Sequence, residues 1–153
     1  IRDRLYAEAT QSDAKKVGIK INLKNVDYNV LDGIGVRGEY DLLISNILTE
    51  QAGDPEVFVN QYWKTNVDGS NPQNGSGYSN PEYDALSDQL ASEFDPAKRR
   101  DIIIKMEKIV QDDAATLIFG YPQTNMVSNK SVQNANIYPC DYYWVTKDIT
   151  PAK

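Results

Sequence analysis

The sequence contains no histidine and only one cysteine, Cys140. Histidine is the commonest general base and the commonest metal ligand, so the usual catalytic and zinc-binding arrangements are missing. Cys140 cannot form a disulfide bond within the chain, and it has no imidazole partner that would activate it as a nucleophile. The carboxylates do not follow the spacing of an EF-hand. We therefore predict no catalytic residues, no metal ligands and no cofactor.

Long apolar runs and dense clusters of positive charge are also missing. No stretch approaches the roughly 18 to 20 apolar residues that a membrane span requires. Sixteen basic residues are scattered along a chain of net charge -6, and the densest cluster covers only residues 98–100. A nucleic-acid-binding surface typically has a basic stripe, so we predict no nucleic-acid partner. The chain starts at Ile1, with neither Met nor a signal peptide, and we expect this end to be a cut.

The composition is that of an ordinary globular domain. The chain has 153 residues, of which 41% are hydrophobic and 25% are charged. A chain of this length can bury a core without disulfide bonds or metals, and it is close to the usual size of one domain. We therefore predict a single domain over residues 1–153.

Three helix starts share one sequence pattern, in which an Asp or Asn precedes a proline. The side chain of the first residue can cap the helix, and proline lacks the backbone N–H that would be left unpaired at the first helical position. Apolar residues then recur every three or four positions, which predicts amphipathic helices packed on a core. The three apolar stripes are Phe58, Val59, Tyr62 and Trp63 after Asp54-Pro55; Tyr83, Leu86, Leu90 and Phe94 after Asn80-Pro81; and Ile102, Ile103, Met106, Ile109 and Val110 after Asp95-Pro96.

The remaining apolar segments predict strands. Residues 19–23 alternate between apolar and polar, whereas residues 40–47 and 116–121 are apolar at most positions, which suits buried strands. We also predict a helix over residues 2–17 and a short helix over residues 27–31, followed by a loose, glycine-containing connection. Helices and strands together indicate an α/β fold.

Two polar segments are candidates for function. Residues 49–53 join a predicted strand to a helix start, a junction at which open α/β sheets bind ligands and where the helix offers free N–H groups. Glu50 and Gln51 would add a carboxylate and an amide there, although both residues could equally be solvated turn residues. Residues 64–80 form a long loop rich in Gly, Ser and Asn, and loops longer than about 12 to 15 residues are usually functional or disordered.

The order of the segments resembles one family. The segments are "AEATQSDAKKVGIKINLKNVD", "GEYDLLISN", "GDPEVF" and "GYSNPEYDALSDQLASEFDPAKRRDIIIKMEKIVQDDAATLIFGYP", which run from Ala7 to Pro122. In this order they resemble the extracytoplasmic solute-binding proteins of the oligopeptide/dipeptide ABC-transporter family (family 5). Each segment alone is weakly diagnostic, but their combined order is specific for the family, though not for its ligand.

The resemblance implies a fold and a function. Members of the family have two lobes that close on a ligand, and this chain resembles the C-terminal lobe, with a small mixed β-sheet flanked by helices. The implied function is that of the substrate-binding component of an ABC importer, which carries a peptide or similar small polar solute to a permease. The implied partners also include the missing N-terminal lobe. The implied location is outside the cytoplasm, either periplasmic or as a lipoprotein on the outer face of the cell membrane.

The resemblance also implies a ligand anchor. In peptide-binding relatives, an acidic residue after the "yD" strand pairs with the α-ammonium group of the peptide. Counting forward from Asp41 assigns this role to Glu50, whereas counting back from Pro55 assigns it to Gln51. Tyr62 and Trp63 could form a pocket wall or simply pack in the core, and Tyr78 lies on the long loop. The predicted ligand-binding residues are Glu50, Gln51, Asn46, Tyr62, Trp63 and Tyr78.

Three alternatives stay open at this stage. The solute could be a sugar, an opine or a metal chelate rather than a peptide, although bare nickel is disfavoured because the chain has no histidine. The lobe could report a ligand to a receptor as a sensing module, without transport. Glu50 and Asp54 could form the carboxylate pair of a hydrolase, but such residues are abundant in any acidic chain.

Overall fold

The computed structural model describes residues 2–47, 53–121, 123, 125–138 and 145–152, which divide into two compact units, 1–117 and 118–153. Within these described ranges the first unit contains five helices and the second contains a two-stranded sheet. The helices are α1 (Arg2–Lys16), α2 (Tyr28–Arg37), α3 (Pro55–Trp63), α4 (Pro81–Ser92) and α5 (Pro96–Asp112), and the strands are β1 (Val132–Gln133) and β2 (Thr150–Pro151). No helix in the described part of the chain is both long and apolar enough to cross a bilayer. The single domain over residues 1–153 stays a prediction.

The three capped helix starts are confirmed. The side chain of Asp54 accepts a hydrogen bond from the amide of Glu56, and Asn80 and Asp95 cap α4 and α5 in the same way. All three helices carry their proline in the first turn, where a missing N–H leaves no unpaired donor. These boundaries follow from local chemistry alone, which is why the sequence predicted them.

The two N-terminal helices agree only in part with the prediction. Helix α1 ends at Lys16, close to the predicted end. Helix α2 is longer than the predicted short helix, and the prediction of a loose connection after it is wrong. Asp27 caps its start, and Gly38 ends it in the left-handed conformation (φ 63°), which glycine adopts without steric cost. The amide of Gly38 donates to the carbonyl oxygen of Gly35 at 3.1 Å.

The core of the first unit lies among α3, α4 and α5. Its buried apolar side chains are Val59, Tyr83, Leu90, Ile102, Ile103, Met106 and Val110. The hydroxyl of Tyr83 is buried with its ring and donates to the backbone oxygen of Val59 at 2.7 Å, so α3 and α4 are joined by a satisfied buried polar contact. Most residues of the apolar stripes therefore pack as predicted, but Tyr62 is not among the side chains of this core, and the α4 stripe ends in an exposed residue. Phe94 is 87% exposed, because α4 ends at Ser92 and the stripe ends with it.

The fold is of the α/β class, but the predicted strands are wrong. Among the described residues, the only ladder is the antiparallel pair β1–β2, in which Val132 lies opposite Pro151. Residues 19–23, 40–47 and 116–121 carry no ladder there. A strand needs a neighbouring strand to pair its N–H and C=O groups, and these segments find none within the described ranges. Some of their apolar side chains are exposed, for example Leu42 at 71% and Leu117 at 72%, whereas Ile21, Leu43 and Ile44 are partly buried.

The long loop over residues 64–80 is folded onto the C-terminal end of α3. The side-chain amide of Asn71 donates to the backbone oxygens of Asn60, at 2.9 Å, and Lys64, at 2.6 Å. Asn74, only 3% exposed, donates to the oxygens of Lys64 and Tyr78 at 3.0 and 2.8 Å. The carbonyl oxygen of Asn60 also accepts from the backbone amide of Lys64 at 3.2 Å, so Asn71 adds a second donor there, and both asparagines pair the oxygen of Lys64 just beyond the helix. The loop is thus ordered by its asparagines.

Candidate functional site

The polar segment predicted to bind ligand, residues 49–53, leads into the start of α3. The structure describes this part of the chain from Gly53 onward. Asp54 has an extended backbone (φ -125°, ψ 122°), as an N-cap residue requires. One of its carboxylate oxygens accepts from the amide of Glu56 at 2.9 Å. The predicted anchors Glu50 and Gln51 lie outside the described residues. What the structure does describe is how the chain is held immediately after them.

Arg99 on α5 holds this start in place. Its Nη2 donates to Asp54 Oδ2 at 2.7 Å and to Glu56 Oε2 at 2.8 Å. Its Nη1 donates to the backbone oxygens of Leu90 and Glu93, both at 2.8 Å. The side chain is 18% exposed, whereas the side chains of Asp54 and Glu56 are 45% and 26% exposed, so water still reaches these contacts. One guanidinium group therefore joins the start of α3, the end of α4 and the first turn of α5.

The electrostatics keep this junction ionised. The hydrogen bond from the amide of Glu56 lowers the pKa of Asp54, and Arg99 lowers it further through its own hydrogen bond and charge. The carboxylates of Glu56 and Asp54 in turn raise the pKa of Arg99. A general acid needs a raised pKa, so Asp54 is poorly suited to the acid role in a carboxylate-pair hydrolase. The amide of Glu56 is already paired, so the free N–H groups predicted at this helix start do not include it.

Tyr62 and Trp63 belong to one aromatic group with Phe58. The ring centroids of Phe58 and Trp63 are 5.0 Å apart at 89°, and those of Phe58 and Tyr62 are 5.6 Å apart. Trp63 and Phe58 pack against the helical core, and all three rings keep some exposure. Edge-to-face contacts of this kind favour a fixed ring arrangement. The group is thus both part of the packing and accessible as a surface.

Tyr78 has a separate environment. Its hydroxyl donates to Asp113 Oδ2 at 2.6 Å, and Asn80 donates to the same oxygen at 2.8 Å. Burial raises the pKa of Tyr78 to about 12, with the hydrogen bond to Asp113 as the next contribution. The ring packs edge-to-face on Tyr83, with centroids 6.1 Å apart. The hydroxyl therefore ties the long loop to the end of α5. Of the other predicted ligand-binding residues, Asn46 is described and is exposed.

Two open depressions lie on the first unit, each about 500 Å³ in volume. One follows the C-terminal half of α3 and the adjoining loop, and all of its lining residues except Val57 are of polar types. The other lies between the starts of α3 and α5 and has an apolar floor. The lining residues are Val57, Asn60, Gln61, Lys64, Thr65, Ser70 and Asn71 in the first, and Gly53, Asp54, Pro55, Pro96, Arg99, Arg100, Ile103, Ile104 and Glu107 in the second.

Sequence reasoning missed Arg99, Asn71 and Asn74. Arg99 lies four residues after the N-cap Asp95, so its position near the start of α5 could be predicted from the sequence. Its partners on other elements could not. The abundance of asparagine in residues 64–80 was the available signal for the amides that pair the end of α3. Within the described ranges, no group of three or more His, Cys, Asp or Glu side chains is arranged to hold a metal ion.

Comparison with known proteins gives consistent relatives. No protein-family model matches the chain. It is 33% identical over 128 residues to the probable D,D-dipeptide-binding periplasmic protein DdpA of Escherichia coli (strain K12), covering 83% of this chain and 24% of that protein. It is 30% identical over 139 residues to the nickel-binding protein NikA of Staphylococcus aureus (strain NCTC 8325 / PS 47), covering 91% of this chain and 27% of that protein. The dipeptide-binding protein DppE of Bacillus subtilis (strain 168) is 26% identical over 147 residues.

A solved structure agrees with these relatives. The crystal structure of NikA from Staphylococcus aureus in complex with Ni(L-His)2 matches with a TM-score of 0.70 at 25% sequence identity. The match covers 95% of this chain and 30% of the NikA chain. The chain thus spans about a quarter of the length of the curated relatives that it matches, between 24% and 27%. The relatives are named as binding proteins.

Proposed function

We propose that this chain forms part of the substrate-binding component of an ABC importer. The reason is its homology to a segment of the extracytoplasmic solute-binding proteins of the oligopeptide/dipeptide family (family 5). It would be the C-terminal lobe of a two-lobed protein and would share its ligand with an N-terminal lobe. The favoured ligand class is a dipeptide or similar small polar solute. The permease of the importer would be the second partner, and the protein would act outside the cytoplasm, free or lipid-anchored.

One observation carries this proposal. The sequence similarity extends over 83% of the chain to the probable D,D-dipeptide-binding protein and over 93% to the dipeptide-binding protein DppE. A match of this extent covers most of the chain rather than one short motif. The proposal therefore rests on the whole segment and not on an isolated group of residues.

The ligand-binding roles fall on the polar segment and on the aromatic group of α3. A carboxylate at Glu50 would pair with the α-ammonium group of a peptide, and Gln51 and Asn46 would donate or accept hydrogen bonds. Tyr62 and Trp63, which are partly exposed beside Phe58, would supply an apolar wall. Tyr78 is the weakest of these assignments, since its hydroxyl is already bonded to Asp113.

We expect binding without chemistry. The chain has no histidine, and Asp54 is held ionised by Glu56 and Arg99, so it would not act as a general acid. Ligand recognition by charge pairing and hydrogen bonding requires none of these groups to transfer a proton. The protein would therefore release the ligand that it captures unchanged.

A nickel chelate is the second candidate ligand. The solved structure that matches this chain contains Ni(L-His)2, a complex in which the small molecule itself carries histidine. The lack of histidine in this chain disfavours bare nickel, but it does not count against a chelate that brings its own imidazole groups.

Calorimetric titration of the full-length protein tests the proposal. The probes are L-alanyl-L-alanine, D-alanyl-D-alanine and Ni(L-His)2, with free L-alanine as the negative control. We expect one dipeptide to bind and Glu50→Gln to weaken that binding by roughly 30-fold or more, since truncating one partner of a buried charge pair costs about 2 to 5 kcal/mol.

The matched control is Glu39→Gln, which removes an exposed carboxylate that pairs with Arg37 and should leave the affinity unchanged. Binding of Ni(L-His)2 alone would favour the second candidate. Binding of none of the three probes would contradict the proposal, and unchanged affinity in Glu50→Gln would transfer the anchor role to Gln51.

A further inference from the structure

Asn74 and Gly75 form the only asparagine–glycine pair in the sequence. Asparagine is a thermolabile residue, and it is most labile before glycine. Glycine has no side chain that hinders its backbone nitrogen from attacking the side chain of the preceding residue. This pair is therefore the position in the chain that is chemically most prone to deamidation.

Deamidation of this pair needs no reactant other than water. The backbone nitrogen of Gly75 loses its proton and forms a bond to Cγ of Asn74. The bond from Cγ to Nδ2 breaks, and Nδ2 leaves as ammonia, which carries the proton away. Water then opens the resulting succinimide ring at one of its two carbonyl carbons. The product is aspartate or isoaspartate, and isoaspartate makes the backbone one methylene group longer.

The native structure restrains Asn74 against this reaction. The residue is only 3% exposed. Its Nδ2 donates to the backbone oxygens of Lys64 and Tyr78 at 3.0 and 2.8 Å, and its Oδ1 accepts from the hydroxyl of Ser76 at 2.8 Å. Ring closure draws Cγ towards the nitrogen of Gly75, a movement that these three bonds oppose. Deamidation therefore requires the loop over residues 64–80 to open first.

Packing explains why a labile pair occupies this position. A Cβ atom on Gly75 would collide with the backbone oxygen of Gly35 at the end of α2, so a larger residue does not fit. The side chain of Asn74 must donate two hydrogens from one nitrogen and also accept one. An aspartate of the same size offers only acceptors when it is ionised. The contacts of the loop therefore require both members of the pair.

Deamidation would disrupt these contacts. An aspartate at position 74 would direct a carboxylate oxygen at the carbonyl oxygens of Lys64 and Tyr78, and it would leave a charge almost buried. Isoaspartate would also shift the backbone beside Gly75. The buried apolar side chains of the core lie on α3, α4 and α5 and not on this loop.

We propose that Asn74 is a gated modification site. Its deamidation proceeds only from the opened loop, and it irreversibly releases residues 64–80 from the ends of α2 and α3 while the helical core stays folded. This inference does not depend on the ligand or on the proposed function. Two experiments on the full-length protein test its two parts.

The first experiment measures the gating. The protein is incubated in mildly alkaline buffer with and without urea, and peptide mapping by mass spectrometry follows the conversion of Asn74. Each of the three side-chain hydrogen bonds should shift the opening equilibrium about fivefold, so native conversion should be at least about 100-fold slower than in urea. The native rate then follows the population of the open loop. Equal rates in both buffers would overturn the gating, and no conversion in urea would overturn the site itself.

The second experiment measures the release of the loop by amide hydrogen exchange. Asn74→Asp reproduces one product of the reaction. Asn66→Asp is the matched control, because Asn66 is exposed on the same loop and an aspartate there adds the same charge while it still accepts from the amide of Asn71.

We expect the amides of Lys64 and Gly38 to exchange at least about 10-fold faster in Asn74→Asp, since both lie where the loop meets a helix end. The amide of Met106 in the core should keep its protection, and Asn66→Asp should change none of the three. Unchanged exchange at Lys64 and Gly38 in Asn74→Asp would overturn the release, and so would equal effects of the two variants. A matching loss of protection at Met106 would overturn it as well, because the loop would then open only together with the core.

Discussion

At the scale of single residues, Tyr78 shows how one side chain joins two distant parts of the first unit. It lies on the loop before α4, and its hydroxyl reaches Asp113 just after α5. Burial and this hydrogen bond raise the pKa of Tyr78 to about 12, whereas an exposed tyrosine in the unfolded chain titrates near 10. The folded state therefore keeps a proton that the unfolded state loses between these two values.

This difference predicts a stability change at high pH. The contribution of Tyr78 is fully present below about pH 10, and it decreases as the pH rises towards about 12, because the unfolded state then binds fewer protons than the folded state. Tyr78→Phe removes the titrating group, so the free energy of unfolding of this variant should fall less steeply over that interval. Urea unfolding followed by tryptophan fluorescence at pH 8, 10, 11 and 12 measures the slope.

The control for this experiment is Tyr121→Phe, which removes a hydroxyl from a side chain that is 80% exposed. It should preserve the wild-type slope. Identical slopes for wild type and Tyr78→Phe would contradict a pKa of Tyr78 raised by burial and by the hydrogen bond to Asp113.

Residue-level predictions succeeded where the chemistry is local. The caps at Asp54, Asn80 and Asp95 each bond to amides two or three residues later, so the sequence contains both partners side by side. Arg99 could not be assigned in this way, because its carboxylate partners lie 43 and 45 residues away along the chain. Only the folded arrangement of three helices brings those groups together.

At the scale of elements, the end of α2 rests directly on the long loop. A Cβ atom built on Gly75 would lie 1.6 Å from the backbone oxygen of Gly35 and 2.7 Å from its carbonyl carbon. These are backbone atoms, which cannot rotate away as a side chain can. Glycine at position 75 is therefore what allows α2 and residues 64–80 to meet.

This contact predicts opposite effects for two glycine substitutions. Gly75→Ala should lower the free energy of unfolding by about 1 to 3 kcal/mol, the usual cost of overpacking. Gly33→Ala, within α2, should be neutral or should raise stability by up to about 1 kcal/mol, since alanine favours the helix and its Cβ would meet only the flexible end of Arg37. Chemical denaturation measures both. Equal stability of the two variants would contradict the close backbone contact.

Elements were predicted well when they are self-sufficient. A helix forms its hydrogen bonds within itself, and α3, α4 and α5 were all recognised from their caps and apolar stripes. A strand depends on a partner that the local sequence does not contain. Residues 19–23 do alternate between apolar and polar types, but this pattern did not correspond to a strand. The segment forms no ladder among the described residues, and Ile19 is 58% exposed. The ligand-binding residues were hard to predict for the same reason, since a cleft is formed by two facing walls and the local sequence specifies only one of them.

At the scale of the whole molecule, the exposed apolar segments and the greater length of the relatives are both consistent with a longer protein. Leu42, Leu117 and Ile118 are exposed by 71%, 72% and 53%. The chain spans 24% to 27% of the lengths of the relatives DdpA and NikA. Under the proposed function, the rest of a longer protein would cover these segments and would supply the opposite wall of the ligand site.

A shared site makes a quantitative prediction about affinity. A ligand in a closed cleft has about 70 to 90% of its surface buried. One lobe alone would retain roughly half of the contacts, while the entropic cost of association would stay largely the same. A loss of about 4 kcal/mol would weaken binding roughly 1000-fold, from micromolar to millimolar. The helical core of α3, α4 and α5 should nevertheless keep the isolated chain folded.

The most direct test titrates the same dipeptide into the isolated chain, residues 1–153, and into the full-length protein, by calorimetry at one temperature and pH. Circular dichroism first establishes that the isolated chain has its helices. The account predicts micromolar binding by the full-length protein and at least about 100-fold weaker binding by the isolated chain, since each factor of ten corresponds to about 1.4 kcal/mol. Equal dissociation constants would contradict it, because the whole ligand site would then lie within these 153 residues.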